Sequence, residues 1–350
     1  MGFEETFRSV AFTLSRSIVF IAHAFAFGVL PVLLLVLRPS FASLDGGGWE
    51  RGRARLAEHL EGLLQSALVA SFVATSVGFV LQAALVAEAQ GGEIGSDSFS
   101  AVANTPFGQW FLLRYPLLAG LAVLLVKRVR TWSLAGAGDD RRGPGRSWWI
   151  GWAALSLGLL ATSTLSGHTS VARPLALAVI TDLLHLVSGG IWFAGIVVLA
   201  FVLPDGWAGQ DALGRLRLLT PAIVRFSNLA LVSIAALLIT GTLNSLFHIG
   251  KLSDLWETGY GRALSIKILL FLAILALGGL NHLFVRRRLE RALEAGRKEP
   301  AEGVFRKTIA TELLIGVLVL GVTGFLVGSA RTKGAPEPVR DEPVTSAPTS

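Results

Sequence analysis

A chain of 350 residues with 52% hydrophobic residues, 16% charged residues and a mean hydropathy of +0.61 is too apolar for a soluble domain and reads as an integral membrane protein. The formal net charge of +7 does not point to nucleic acid, because the basic residues fall in short segments between apolar runs, where they set topology, and no nucleic-acid motif accompanies them. The absence of cysteine excludes disulfides, thiolate metal sites and Cys-attached haem, and with Met1 as the only methionine there is no thioether ladder for a soft metal.

The first apolar run, Ser17 to Leu37, is long for a signal-peptide core and lacks a small-residue cleavage site, so a retained span is expected there. Seven further runs follow, at about Leu63–Ala87, Gly108–Val126, Trp148–Leu165, Leu175–Leu203, Ile223–Phe247, Ala263–Val285 and Ile309–Ala330. The expected fold is all-α: a membrane domain over 1–330 built of eight transmembrane helices, with both termini on one side. Loops after spans one, three, five and seven carry 4, 6, 2 and 8 Lys and Arg; the N-terminus, the other three loops and the tail carry 2, 0, 1, 2 and 3. The excess marks the inner side and puts both termini outside. Between the spans, Glu88 to Gln109 is expected as a solvated acidic loop, 139–145 as a flexible inner connection, and 286–307 as a charged extension of the seventh helix. The tail, 331–350, is rich in Pro, Ser, Thr and Glu and is expected to be disordered.

The fifth span carries the chemistry. Asp182 and His185 lie near the middle of a crossing, where charge is expensive, and on a helix they share one face with Gly189 and Trp192. That face should look into the bundle, where Gly189, Gly190 and Gly195 let another helix or a ligand approach closely. A buried polar pair that only fastens helices is the bland alternative. By rise per residue His185 lies about 15 Å below the outer surface and His23 about 9 Å. His168 is placed in the short outer loop 166–174, His248 at the outer end of span six, and His282 and His59 on the inner side. There is also an internal echo: Thr105-Pro-Phe-Gly108 with Arg114 six residues on matches Thr258-Gly-Tyr-Gly261 with Lys267 six on, which suggests a repeated two-helix unit placing two cations at like depth.

These residues resemble the copper resistance protein D (CopD) family of bacterial inner-membrane proteins. The resemblance rests on Gly167-His168, on Asp182-x-x-His185 followed by Trp192-x-x-Gly195, on Arg225-Phe226-Ser227, on Thr240-Gly241, and on Thr258-x-Tyr260-Gly261 with Lys267, and it covers roughly residues 100–330. It implies a multi-pass protein of the cytoplasmic membrane that handles copper, described as uptake together with a periplasmic copper carrier.

Three functions remain open on the sequence, none of them enzymatic. In the first, copper passes through a site formed by His185, His168 or His23, with Asp182 as orienter or further ligand. No nucleotide-binding loop is visible, so transport is driven by a gradient or a carrier. In the second, the protein is a b-type cytochrome in which His23 and His185 ligate haem b, with Arg114, Lys267 and Trp192 lining the cofactor. In the third, it is an assembly scaffold whose polar residues are structural.

Overall fold

The computed structural model describes residues 3–44, 48–128, 145–166, 175–246, 253–280, 283–284, 286–294 and 301–329, and among these residues every regular element is helical. The helices are α1 Phe3–Val32, α2 Arg38–Ala42, α3 Glu50–Ala89, α4 Ser96–Ala103, α5 Pro106–Arg128, α6 Arg146–Leu165, α7 Leu175–Val197, α8 Leu203–Gly206, α9 Ala212–Leu246, α10 Asp254–Glu257, α11 Gly259–Leu280, α12 Arg286–Glu294 and α13 Ala301–Ser329. Seven of them, some continued by a short neighbour, are long and apolar enough to cross a membrane, and α13 adds the shorter apolar stretch Ile309–Thr323. Exposed Val69, Val232, Ile239 and Leu269 cover outward faces, as lipid contact requires.

Several helices outrun the apolar segments that announce them. Helix α3 starts at Glu50, because Leu56, Leu60, Leu64 and Leu68 recur every fourth residue and are all buried, continuing one face through charged sequence. At 40 residues it is about 60 Å long, twice a hydrocarbon core. His59, expected in an inner loop, is therefore helical, and its Nδ1 pairs with Asp205 Oδ2 at 2.5 Å, tying α3 to the α8 segment. The acidic segment after α3 is not all loop either: α4 forms there and buries Val102. Helix α12 buries Leu289 in the main core and packs on α9.

Helices α1 and α7 form the centre. In each, 67% of the most apolar stretch is buried, against 22% in α11. They meet at Gly28 and Gly190, where the backbones touch: a Cβ on Gly28 would lie 2.0 Å from the Gly190 carbonyl oxygen, and one on Gly190 would lie 2.8 Å from that of Ala24. Around this pair the chain is built twice. Helix α1 runs into a π-helical turn, Leu33–Leu37, with Pro39 two residues beyond it; α7 runs into another, Val198–Val202, with Pro204 two residues beyond. A proline has no N–H to give to the helical ladder, and each widened turn falls just before one. Then come a long helix, a short one and two more long ones, with α12 extra in the second half. The halves exchange contacts: α2 packs on α9 and α8 on α3, α1 on α13 and α7 on α6. Each half thus brings four long helices in the same order.

The echo seen in the sequence is the local signature of this duplication. Thr105 Oγ1 accepts from the Gly108 N–H at 3.0 Å and Thr258 Oγ1 from that of Gly261 at 2.9 Å, so each threonine caps the next long helix. Each glycine lies against the carbonyl of the preceding short helix: an added Cβ would be 1.9 Å from Val102 O or 1.8 Å from Asp254 O. Replacing either threonine by valine should lower stability by about 1 kcal/mol. Gly108→Ala and Gly261→Ala should cost more, because backbone must move. Thermal unfolding of purified protein in detergent checks that order.

Candidate functional site

Helix α7 holds its expected polar face by virtue of its glycines, and what they admit is protein. Gly190 receives α1. A Cβ on Gly195 would lie 1.9 Å from Phe226 Cε2 of α9, and one on Gly189 would meet Leu237 at 3.7 Å. Trp192, 8% exposed, packs in the main core, and its ring edge faces Gly316 of α13. Its surroundings are those of a packing residue.

His185 is set by α9. Its Nδ1 lies 3.0 Å from Thr240 Oγ1, and its Cε1 rests over Gly241, where a Cβ would be 3.2 Å away. The Thr240 hydroxyl already donates its single proton to Ala236 O at 2.6 Å, so towards the ring it accepts. Nδ1 therefore carries the hydrogen, and the Nε2 lone pair is left, with no hydrogen bond among the described residues. Metal-bound imidazoles are held in this way, one nitrogen fixed by an oxygen and the other presenting its lone pair. One turn earlier on α7, the half-buried Asp182 acts electrostatically on Lys267 and Tyr260 of α11, and Lys267 acts on His185. Asp182 and His185 of α7 thus lie within electrostatic reach of Lys267 and Tyr260 of α11, with Thr240 of α9 bonded to the His185 ring.

His23 sits in a different environment. It is fully buried, with Nδ1 3.0 Å from Ser163 Oγ of α6 and Nε2 2.8 Å from Ser71 Oγ of α3. Ser163 also donates to Leu159 O at 3.3 Å, which leaves the Nδ1 hydrogen for His23 and makes Ser71 the donor to Nε2. Both ring nitrogens are engaged. Arg114, 3% exposed, is near this ring: its Nε donates to Thr162 Oγ1 at 3.1 Å, its Nη2 to Ser166 Oγ at 2.7 Å and to Thr162 O at 3.4 Å, and the guanidinium stands 4.0 Å from the Phe111 ring centre. A cation there also meets the negative end of α6.

The residues expected to act together are divided between the two halves. His23 faces α3 and α6, while His185 faces α9, and the helices that carry them touch backbone to backbone at Gly28 and Gly190. No space for a haem plane lies between α1 and α7 at that crossing. Arg114 belongs to the first site and Lys267 to the second. His168, His248 and His282 lie outside the described residues, as do the connection 139–144 and the tail 331–350. Among the described residues no three His, Asp or Glu side chains converge on one metal position. One further buried acid was not singled out in the sequence. Glu312 of α13 is 5% exposed. It stands three residues into an apolar run and looks like an edge residue until α13 is seen to continue to Ala301.

The two halves correspond to two recognised sequence units. The model for the copper resistance protein D-like N-terminal domain matches residues 7–174, and that for copper resistance protein D matches 221–326. The chain belongs to the copper resistance protein D family. The likeness thus reaches further towards the N-terminus than the motifs suggested, while α7, with Asp182 and His185, falls between the two matched segments. Curated relatives include a copper transport protein, CutJ, of Bacillus subtilis (strain 168), 26% identical over 83% of this chain and 49% of its own length. Another is copper resistance protein D of Pseudomonas syringae pv. tomato, 32% identical over 41% of this chain and 46% of its own. The chain spans about half the length of the curated relatives it matches. No solved structure matches it.

Proposed function

We propose that this protein takes up copper across the cytoplasmic membrane, receiving the ion from a carrier on the outer side and binding it at His185 in the outer half of the bundle. The observation that carries this reading is the His185 ring in central helix α7, whose Nδ1–H is held by Thr240 and whose Nε2 lone pair is left over. Imidazole and carboxylate suit copper among the divalent ions, and the chain has no cysteine or internal methionine to offer instead. Asp182 adds negative charge one turn away, and His168, in the loop just before α7 in sequence, is the proposed partner ligand. His23 would join only by giving up its hydrogen bond from Ser71. The family membership and the names of the two relatives support copper as the cargo. Proteoliposomes enclosing a copper-sensitive dye should report copper entry that empty liposomes do not. An equal signal from both overturns transport.

The accompanying topology is eight spans over 1–330, with both termini outside. The chain has no native cysteine, so a single introduced cysteine is read against no background. Ser350→Cys should be labelled by an impermeant maleimide in intact cells, and Gly143→Cys only after lysis. The reverse pattern would invert the orientation.

A further inference from the structure

The charged segment after α11 has a surface that copper handling leaves unused. Helix α12, with the sequence RRRLERALE, is apolar on one side only. Leu289 is fully buried and Leu293, one turn on, packs against the main core, so this side is fixed on the protein, where α12 lies on α9. The other side is turned outward: Arg287 and Arg291, four residues apart, are both exposed, and Arg291 Nε donates to Arg287 O at 3.2 Å, which lays that side chain along the helix. Just before α12, Leu283 and Phe284 are 50% and 65% exposed. Large apolar side chains left open at the end of a membrane crossing belong against acyl chains, and Arg287 follows three residues after Phe284, about where headgroups begin. The neighbouring helix repeats the pattern. Helix α9 enters the membrane on the side where α11 leaves it, with exposed Arg225 just before its most apolar part and exposed Arg217 about two turns earlier. The nearby acids do not cancel this charge: Glu294 is at the far end of α12, Glu290 is half-buried, and Asp211 accepts from the Gly214 N–H at 2.8 Å at the start of α9.

We propose that the outward face of α12 binds an anionic phospholipid, with Arg287 and Arg291 on the headgroup, Leu283 and Phe284 on the acyl chains, and Arg225 adding charge at the same membrane boundary. Guanidinium groups suit this ligand because their donors match two oxygens of one phosphate. A zwitterionic lipid offers the same phosphate but brings a cation with it, so the arginines select for net negative charge. The site stands apart from His185, so it does not depend on the copper reading, and neither fails with the other.

The test uses the full chain in detergent, with native mass spectrometry counting bound phosphatidylglycerol and phosphatidylcholine offered at equal concentration. Wild type should hold the anionic lipid more tightly by about tenfold or more, and Arg287→Gln and Arg291→Gln should each weaken it about fivefold, the contribution of one basic residue near an anionic surface. Lys127→Gln, which removes an exposed cation at the end of α5 in the first half, should change nothing. Inorganic phosphate at the lipid's concentration should not displace the lipid, because it has no acyl chains for Leu283 and Phe284. Equal retention of both lipids by wild type overturns the site, and so does a double variant, Arg287→Gln with Arg291→Gln, that binds as wild type. A loss in Lys127→Gln as large as that in Arg287→Gln would mean diffuse surface charge and overturns it too. Displacement by inorganic phosphate would exclude lipid as the ligand.

Discussion

Gly190→Val should leave no stably assembled protein. The backbones of α1 and α7 touch at this position, so any Cβ there presses on Ala24, and the two isopropyl methyl groups must push apart the helices on which both halves are built. Overpacking of a core commonly costs about 1–3 kcal/mol, and here the obstacle is backbone that cannot rotate away, so the loss should reach at least the top of that range. Gly28→Val, across the same contact, should behave alike, since its Cβ would meet the Gly190 carbonyl at 2.0 Å. Gly279→Ala is the control: nothing lies within 4 Å of its would-be Cβ, and on helix propensity alone it should stabilise α11 by up to about 1 kcal/mol. Yield and monodispersity after detergent extraction check all three. A well-folded Gly190→Val would mean that α1 and α7 do not meet as described.

The second large effect concerns Asp182. Asp182→Asn should weaken copper binding by about 10- to 100-fold, as loss of a carboxylate supporting a metal-bound imidazole does. The same change removes a negative charge that acts on Lys267, so stability should fall as well. The double variant Asp182→Asn, Lys267→Gln separates the two roles, because it removes both members of the pair and should recover stability without recovering copper. If copper binding returns in the double variant, Asp182 serves only to balance Lys267.

How much of this was legible in the sequence depends on the range of each interaction. Apolar runs announced the spans, because a membrane crossing is a local property of about 20 residues. The Thr-x-x-Gly echo was visible because cap and closing glycine lie within a few positions of each other, and it led to the duplication. The exchange of α2 and α8 between the halves left no mark, since it is made of contacts between distant segments. His185 stood out because an ionisable group in a long apolar run is itself a signal, but its partner Thr240 is 55 residues away. The partners of His23 were hidden for the same reason: Ser71 and Ser163, which engage its two nitrogens, lie 48 and 140 residues from it. Arg114 was taken for a cofactor contact, and only the fold shows that it spends its donors on the last turn of α6.

The central claim is that copper binds through the Nε2 of His185. Electron paramagnetic resonance of the purified protein loaded with Cu(II) tests it most directly, because imidazole nitrogen leaves a hyperfine pattern on the copper signal. Wild type should show nitrogen coupling at a stoichiometric site, and His185→Ala should lose that site while His23→Ala keeps it. A spectrum unchanged in His185→Ala, or one lost only in His23→Ala, would contradict the assignment.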